Sequence, residues 1–100
     1  MAAVEAFVAQ AATPEWRARI ASVRAEFTEF CLEELDLPYV QSSLDDCLRF
    51  LLAVFNDQQR QLSARSIASM ASALGAAREA DGFSPIGGER KLTRFLKAVR

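Results

Sequence analysis

Four cations near the C-terminal end of the sequence are spaced so that they can act together on an anion. They recur at intervals of three, four and seven residues: Arg90, Lys91, Arg94 and Lys97. In a helix this spacing forms one basic ridge on an exposed face, opposite or flanking an apolar stripe. The stripe consists of Leu92, Phe95, Leu96 and Val99. Such a ridge predicts a binding surface for an anionic partner.

The preceding stretch, residues 62–82, reads LSARSIASMASALGAAREADG. It has a helical pattern, but many of its side chains are the small ones of serine and alanine. Its first part combines one cation with short hydroxyl side chains: Ser63, Arg65, Ser66, Ser69 and Ser72. A helix N-terminus offers unpaired N–H groups to an anion, and short hydroxyls let a phosphate backbone come near and accept a hydrogen bond. Two other interpretations stay open. The alanines at 71, 73 and 77 would permit close helix packing, and the serines would also suit an ordinary solvated surface.

The charge of the chain is distributed unevenly along it. The net charge of the 100 residues is −1. Residues 1–58 hold four arginines and ten acidic residues, a formal charge of −6, whereas residues 59–100 hold eight cations and three acidic residues, a formal charge of +5. This asymmetry predicts that the second half of the chain faces the anion.

The sequence lacks the residues of the common catalytic sites. It has no histidine, and Gly87-Gly88 has neither the strand context nor the lysine spacing of a phosphate-binding loop. In the acidic pairs at 33–34 and 45–46, the two side chains point about 100° apart on a helix, so neither pair forms a shared carboxylate site. We expect no catalytic residue, no metal site and no cofactor, so the chain by itself is predicted not to be an enzyme.

Cysteine usage and hydropathy predict an intracellular protein. Cys31 and Cys47 lie inside apolar helical patterns, which indicates buried, reduced thiols. No basic region precedes the first apolar residues, and Glu5 interrupts them, so a signal peptide is not expected. No apolar run approaches the ~18 residues that span a bilayer, and no membrane partner is expected. The expected location is the cytoplasm and nucleoid, or the nucleus in a eukaryote.

Apolar residues at helical spacing define the elements that must position these groups. No segment alternates as a strand would, and the pattern predicts helices over residues 14–36, 44–59, 64–80 and 88–99. The second of these helices is apolar over much of its circumference and is expected at the centre of the bundle. The fold class is therefore all-α, a four-helix bundle at residues 14–100 preceded by a short helix or arm at residues 1–13.

The ends of the predicted helices carry recognisable signals. Thr13, Ser43 and Ser63 stand where N-caps belong, and Asp46 completes a capping box with Ser43. Pro14 suits the first helical position, where its missing N–H has no intrahelical partner. Gly82 supplies the left-handed residue that follows the third helix.

Five motifs occur in an order and spacing similar to those of a known DNA-binding domain. They are FTEFC in the first helix, LDDCLRFLLAVF in the second, LSARSIASMASAL in the third, GFSPIG in the following loop and KLTRFLKAVR in the last helix. They lie within residues 23–100, the stretch that carries the resemblance. This set resembles the N-terminal core-binding domain of tyrosine recombinases, the SAM-like domain of phage-type integrases.

The resemblance implies a SAM-like bundle that clamps duplex DNA for site-specific recombination together with a separate catalytic domain. In that family the catalytic arginine, lysine, histidine and nucleophilic tyrosine belong to the other domain, and Tyr39 of this chain lacks their context. The resemblance also implies contacts between neighbouring protomers. The residues expected to bind DNA, from spacing and resemblance together, are Arg65, Ser66, Ser69, Ser72, Arg90, Lys91, Arg94 and Lys97.

A second function stays open. The acidic half of the chain, its near-neutral charge and the apolar face of the N-terminal arm would also suit a helical bundle that binds protein and not DNA. In that case the arm at residues 1–13 would mediate homo-oligomer contacts.

Overall fold

Four α-helices make up the regular structure of the computed structural model, which describes residues 13–99. They are α1 (Pro14–Glu34), α2 (Leu44–Phe55), α3 (Ala64–Ala80) and α4 (Arg90–Ala98). A short 3-10 turn, Tyr39–Gln41, lies between α1 and α2. The expected all-α four-helix bundle is confirmed. The predicted arm falls, apart from Thr13, outside the described residues.

Hydroxyl side chains begin three of the helices, as the sequence predicts. The Thr13 hydroxyl accepts a hydrogen bond from the Trp16 backbone N–H at 3.2 Å, and Pro14 opens α1. At the start of α2, Ser43 and Asp46 form a reciprocal capping box. At the start of α3, the Ser63 hydroxyl accepts from the Ser66 N–H at 3.1 Å. These bonds satisfy backbone donors that a helix leaves unpaired at its first turn.

The helices are shorter at some ends than the apolar pattern predicts. The first was expected to reach residue 36 and ends at Glu34, because Asp36 turns the chain with a φ of 51°. The second was expected to reach residue 59 and ends at Phe55. The Asp57 side chain accepts from the Gln59 N–H in the turn that follows. The last helix begins at Arg90 and not at residue 88. Gly82 has the predicted positive φ, 93°.

The helix at the centre of the bundle is α3, so the expectation that α2 lies there is wrong. The α3 helix packs against α1, α2 and α4, and α1 makes its most extensive contact. Seven of its residues are buried, including the predicted packing positions Ala71, Ala73 and Ala77. Small side chains on α3 let α1 and α2 approach it closely from two sides. A helix can therefore be central without having the widest apolar face.

The core between these helices is built around aromatic rings. Phe27 of α1 is fully buried and contacts the rings of both Tyr39 and Phe50. Cys31 and Cys47 are buried free thiols, as predicted. Burial raises the pKa of the Cys47 thiol to about 11, so at neutral pH it is protonated. None of the helices in the part of the chain described here is long and apolar enough to cross a membrane.

Candidate nucleic-acid interface

Three of the four predicted ridge cations share the outer face of α4. Arg90, Arg94 and Lys97 occupy positions i, i+4 and i+7 of this helix, and all three are exposed. The opposite face carries Leu92, which is buried, together with half-buried apolar residues that pack on the core. Because α4 is held by that apolar face, the three cations point away from the bundle.

Lys91 lies on the flank of α4 and not on the ridge. It is about 100° around the helix from Arg90. Its Nζ lies 3.1 Å from the Asp45 Oδ1 in the first turn of α2, and both side chains are more than half exposed. Lys91 therefore joins α4 to α2 and neutralises part of the local acidic charge, a role that spacing along one helix does not reveal.

The serine-rich helix presents one cation and two of the predicted hydroxyls on its outer side. Arg65 and Ser72 are exposed, and Ser69 is half-buried. These three residues are at i, i+4 and i+7, so they lie within one strip of α3. Ser66 is half-buried and turned towards the cap, where its hydroxyl lies 3.1 Å from that of Ser63. Its first role in this structure is local, at the start of the helix.

The start of α3 lies beside Leu96, near the C-terminal end of α4. A shallow hollow of about 400 Å³ is lined by Ala64, Arg65 and Ala68 from α3 and by Leu96 from α4. This places Arg65 next to the helix that carries the other cations. We call the combined set the α3/α4 cationic surface, and its members are Arg65, Ser69, Ser72, Arg90, Arg94 and Lys97.

Over residues 13–99, the cations of this surface differ from most others in having no carboxylate partner. Arg24, Arg49, Arg60 and Lys91 each form an ion pair. Within residues 13–99, Arg65, Arg90, Arg94 and Lys97 form none, and the remaining exposed cations without one are Arg17 and Arg19 at the start of α1. The unneutralised positive charge is thus concentrated on α3 and α4.

Arg78 does not contribute to the exposed basic surface, although it belongs to the basic half of the sequence. Arg78 is only 4% exposed. The guanidinium donates to the Ser42 hydroxyl at 2.6 Å and lies 4.0 Å from the ring centre of Phe83. The sequence holds a signal for this, because Arg78 follows the buried Leu74 by four residues and so continues the apolar face of α3.

The site offers cations and hydroxyls and no evident metal-ligand set. Over the described range, no group of three or more Asp, Glu, Cys or His side chains is placed to hold a metal ion. Comparison of the chain with models of known protein families, with curated proteins and with solved structures finds no match. The chemistry of the α3/α4 cationic surface therefore has to be inferred from its own geometry.

Proposed function

We propose that this chain binds duplex DNA through the α3/α4 cationic surface, as the core-binding domain of a tyrosine recombinase does. The observation that carries the proposal is that four exposed cations, on the start of α3 and the outer face of α4, have no carboxylate partner among residues 13–99. When unpaired Arg and Lys side chains neutralise DNA phosphates, they displace the counterions condensed on the DNA. The release of these counterions drives sequence-tolerant binding.

The dimensions of the surface support this proposal. Arg90 and Lys97 are seven residues apart, which corresponds to about 10 Å along α4. Over that length of its axis a DNA duplex carries roughly six phosphate charges. Ser69 and Ser72 have short side chains, so a phosphate backbone can approach α3 beside Arg65, and their hydroxyls can donate to it.

The proposal assigns no catalytic step to this chain. In the recombinase arrangement that the five sequence motifs resemble, a separate catalytic domain carries the nucleophile and closes on the other side of the duplex. The role of this bundle is then to hold the DNA backbone in a fixed register for that domain. Site-specific recombination or integration is the process in which such a domain takes part.

The direct test is fluorescence anisotropy of a labelled duplex titrated with the protein at several salt concentrations. The logarithm of the affinity should fall with the logarithm of salt concentration with a slope of about −3 to −4 if all four cations meet phosphates. Arg94→Glu should weaken binding strongly and reduce the magnitude of the slope. Arg19→Glu is the matched control, since it makes the same charge change on an exposed cation of α1.

The two variants separate a specific surface from general electrostatic attraction. Equal losses for Arg94→Glu and Arg19→Glu would contradict the assignment to α3 and α4. Affinity that does not respond to salt, or an absence of binding at low salt, would contradict DNA binding by this chain.

A protein-binding bundle is the second candidate. Among residues 13–99, three large apolar side chains are exposed on α1, the 3-10 turn and α2: Leu32 at 57%, Val40 at 73% and Leu52 at 46%. Exposed apolar groups of this size favour protein contacts when they adjoin one another. Self-association detected by light scattering, together with no salt-dependent DNA binding, would favour this function.

A further inference from the structure

An open groove runs along α3 between α1 and α4. Its volume is about 830 Å³. Trp16 and Ile20 of α1 form one wall, and Leu92 and Leu96 of α4 form the other. Residues 85–88 close one side of it. The groove exists because α1 and α4 each pack on α3 but leave a gap between themselves.

The floor of this groove consists of small side chains. The α3 residues that line it, apart from Glu79 at one end, are Ala68, Ala71, Ser72, Gly75 and Ala76. A floor of this kind lets another helix come close, because the distance between two helix axes falls with the size of the side chains between them. The lining is mostly apolar and extends over residues 68–79 of α3, which suits a helix.

The segment that precedes the described residues has the properties this groove requires. Residues 2–12 read AAVEAFVAQAA, with Val4, Phe7, Val8 and Ala11 at helical spacing and mostly alanine elsewhere. As a helix these eleven residues would be about 16 Å long. The groove-lining residues of α3 run from Ala68 to Glu79, which is also about 16 Å along the helix axis.

The connection between segment and groove is direct. Thr13, the residue that follows the segment, itself lines the groove. Its backbone is extended, with φ −65° and ψ 143°, so α1 begins at Pro14 and does not continue backwards through Thr13. The chain therefore leaves the axis of α1 at the rim of the groove.

We propose that residues 2–12 form an amphipathic helix that packs into the α1/α3/α4 groove of the same molecule, with Val4, Phe7, Val8 and Ala11 on the floor. Because the segment is tethered at the groove wall, its effective concentration there is in the millimolar range, well above that of a second copy at ordinary protein concentrations. The bundle then has five helices. A helix packed there would cover Ser72 of the α3/α4 cationic surface, which also lines the groove, whereas none of the four cations of that surface lines it.

Trp16 provides the first readout, because it is the only tryptophan of the chain and stands in the groove wall. Deleting residues 2–12 should shift its emission to longer wavelength, increase quenching by acrylamide and lower the Tm by roughly 5–10 °C. If the emission, quenching and Tm of the deletion variant equal those of the full chain, the proposal is wrong.

Point variants test the contact without removing the segment. Phe7→Asp should reproduce the effects of the deletion. Gln10→Asp, the matched control, adds the same charge on the polar face of the segment and should leave Trp16 emission and Tm unchanged. Equal effects of the two variants would contradict the proposed face.

A substitution in the groove floor completes the test. Ala76→Phe should fill the groove and lower the Tm of the full chain, but it should cost little in the deletion variant, where no helix is displaced. Ala53→Phe, on the exposed side of α2, is the control. Equal effects of Ala76→Phe in both backgrounds would overturn the proposal.

Light scattering should give a monomer, and a dimer that the deletion dissociates would instead assign the groove to the segment of a second copy.

Discussion

Arg78 is a single cation whose surroundings reverse the role that its sequence position suggests. It is buried between α3 and the segment before α2, and its guanidinium hydrogen-bonds to Ser42, with Nη1 reaching the hydroxyl and Nη2 the backbone oxygen at 3.4 Å. The Nε has no hydrogen-bond partner within the described structure. A buried charge without a carboxylate partner contributes little net stability, because desolvation opposes its hydrogen bonds.

Substitutions at Arg78 and Ser42 should therefore have different effects on stability. Arg78→Met keeps the length of the side chain, removes the buried charge and retains contact with Phe83 through sulfur, so the free energy of unfolding should stay the same or rise. Ser42→Ala leaves the charge with a weaker set of acceptors and should lower the free energy of unfolding by about 1–3 kcal/mol. Urea denaturation measures both. A loss for Arg78→Met larger than that for Ser42→Ala would contradict the argument.

At the scale of the element, the start of α2 depends on one local interaction. The Ser43 N–H donates to Asp46 Oδ2 at 2.8 Å, and the Asp46 N–H donates to the Ser43 hydroxyl at 3.3 Å. Asp46 is also nearly buried, so the box lies against the core and α2 enters it at a fixed angle. Caps of this type stabilise a helix by satisfying donors that have no intrahelical partner.

Removing the cap should therefore destabilise the whole bundle. Ser43→Ala is expected to cost about 1 kcal/mol and to lower the Tm by roughly 4–8 °C. Ser84→Ala changes an exposed serine of the loop before α4 in the same way and should leave the Tm within error. Thermal unfolding followed by circular dichroism distinguishes the two. Similar shifts for both variants would show that the capping box adds no stability of its own.

At the scale of the whole molecule, one cluster joins the first helix, the 3-10 turn and the end of α3. Asp81 accepts hydrogen bonds from Arg24 Nε at 2.8 Å and from the Tyr39 hydroxyl at 2.7 Å. The hydrogen bond from Arg24 is the main cause of a lowered Asp81 pKa. Burial and the bond to Asp81 raise the pKa of Tyr39 to about 12.

The lowered pKa fixes the direction of the pH dependence. A carboxyl group whose pKa is lower in the folded state contributes stability above its unfolded pKa, near 4, and loses that contribution as the pH falls through the folded value. Asp81→Asn should therefore lower the Tm at pH 7, and the difference from the parent protein should shrink below about pH 4. Its size is moderate because Arg24 and Asp81 are partly exposed.

Thermal unfolding at pH 7, 5 and 3 tests this expectation. Glu33→Gln removes an exposed carboxylate of α1 that forms no ion pair with the residues described and serves as the control. A Tm difference for Asp81→Asn that is the same at all three pH values would exclude the linkage.

The local pattern of the sequence predicted the four helices, the starting residues of the first three and the side of each helix that faces the core. It did so because these features depend on short-range physics. The spacing of apolar residues selects a helix face, and a hydroxyl such as that of Ser63 meets N–H groups only a few residues away. Helix ends were predicted less well, since the turn at Asp36 and the side-chain bond of Asp57 stop helices within apolar or neutral stretches.

Which cations lack a carboxylate partner depends on how the helices pack against one another. Lys91 is neutralised by Asp45, 46 residues away along the chain, and Arg78 is buried against Ser42, 36 residues away. The same is true of the central position of α3 and of the groove between α1 and α4. Each of these features depends on how distant faces pack against one another, and the periodicity of one helix carries no information on the partner of that helix.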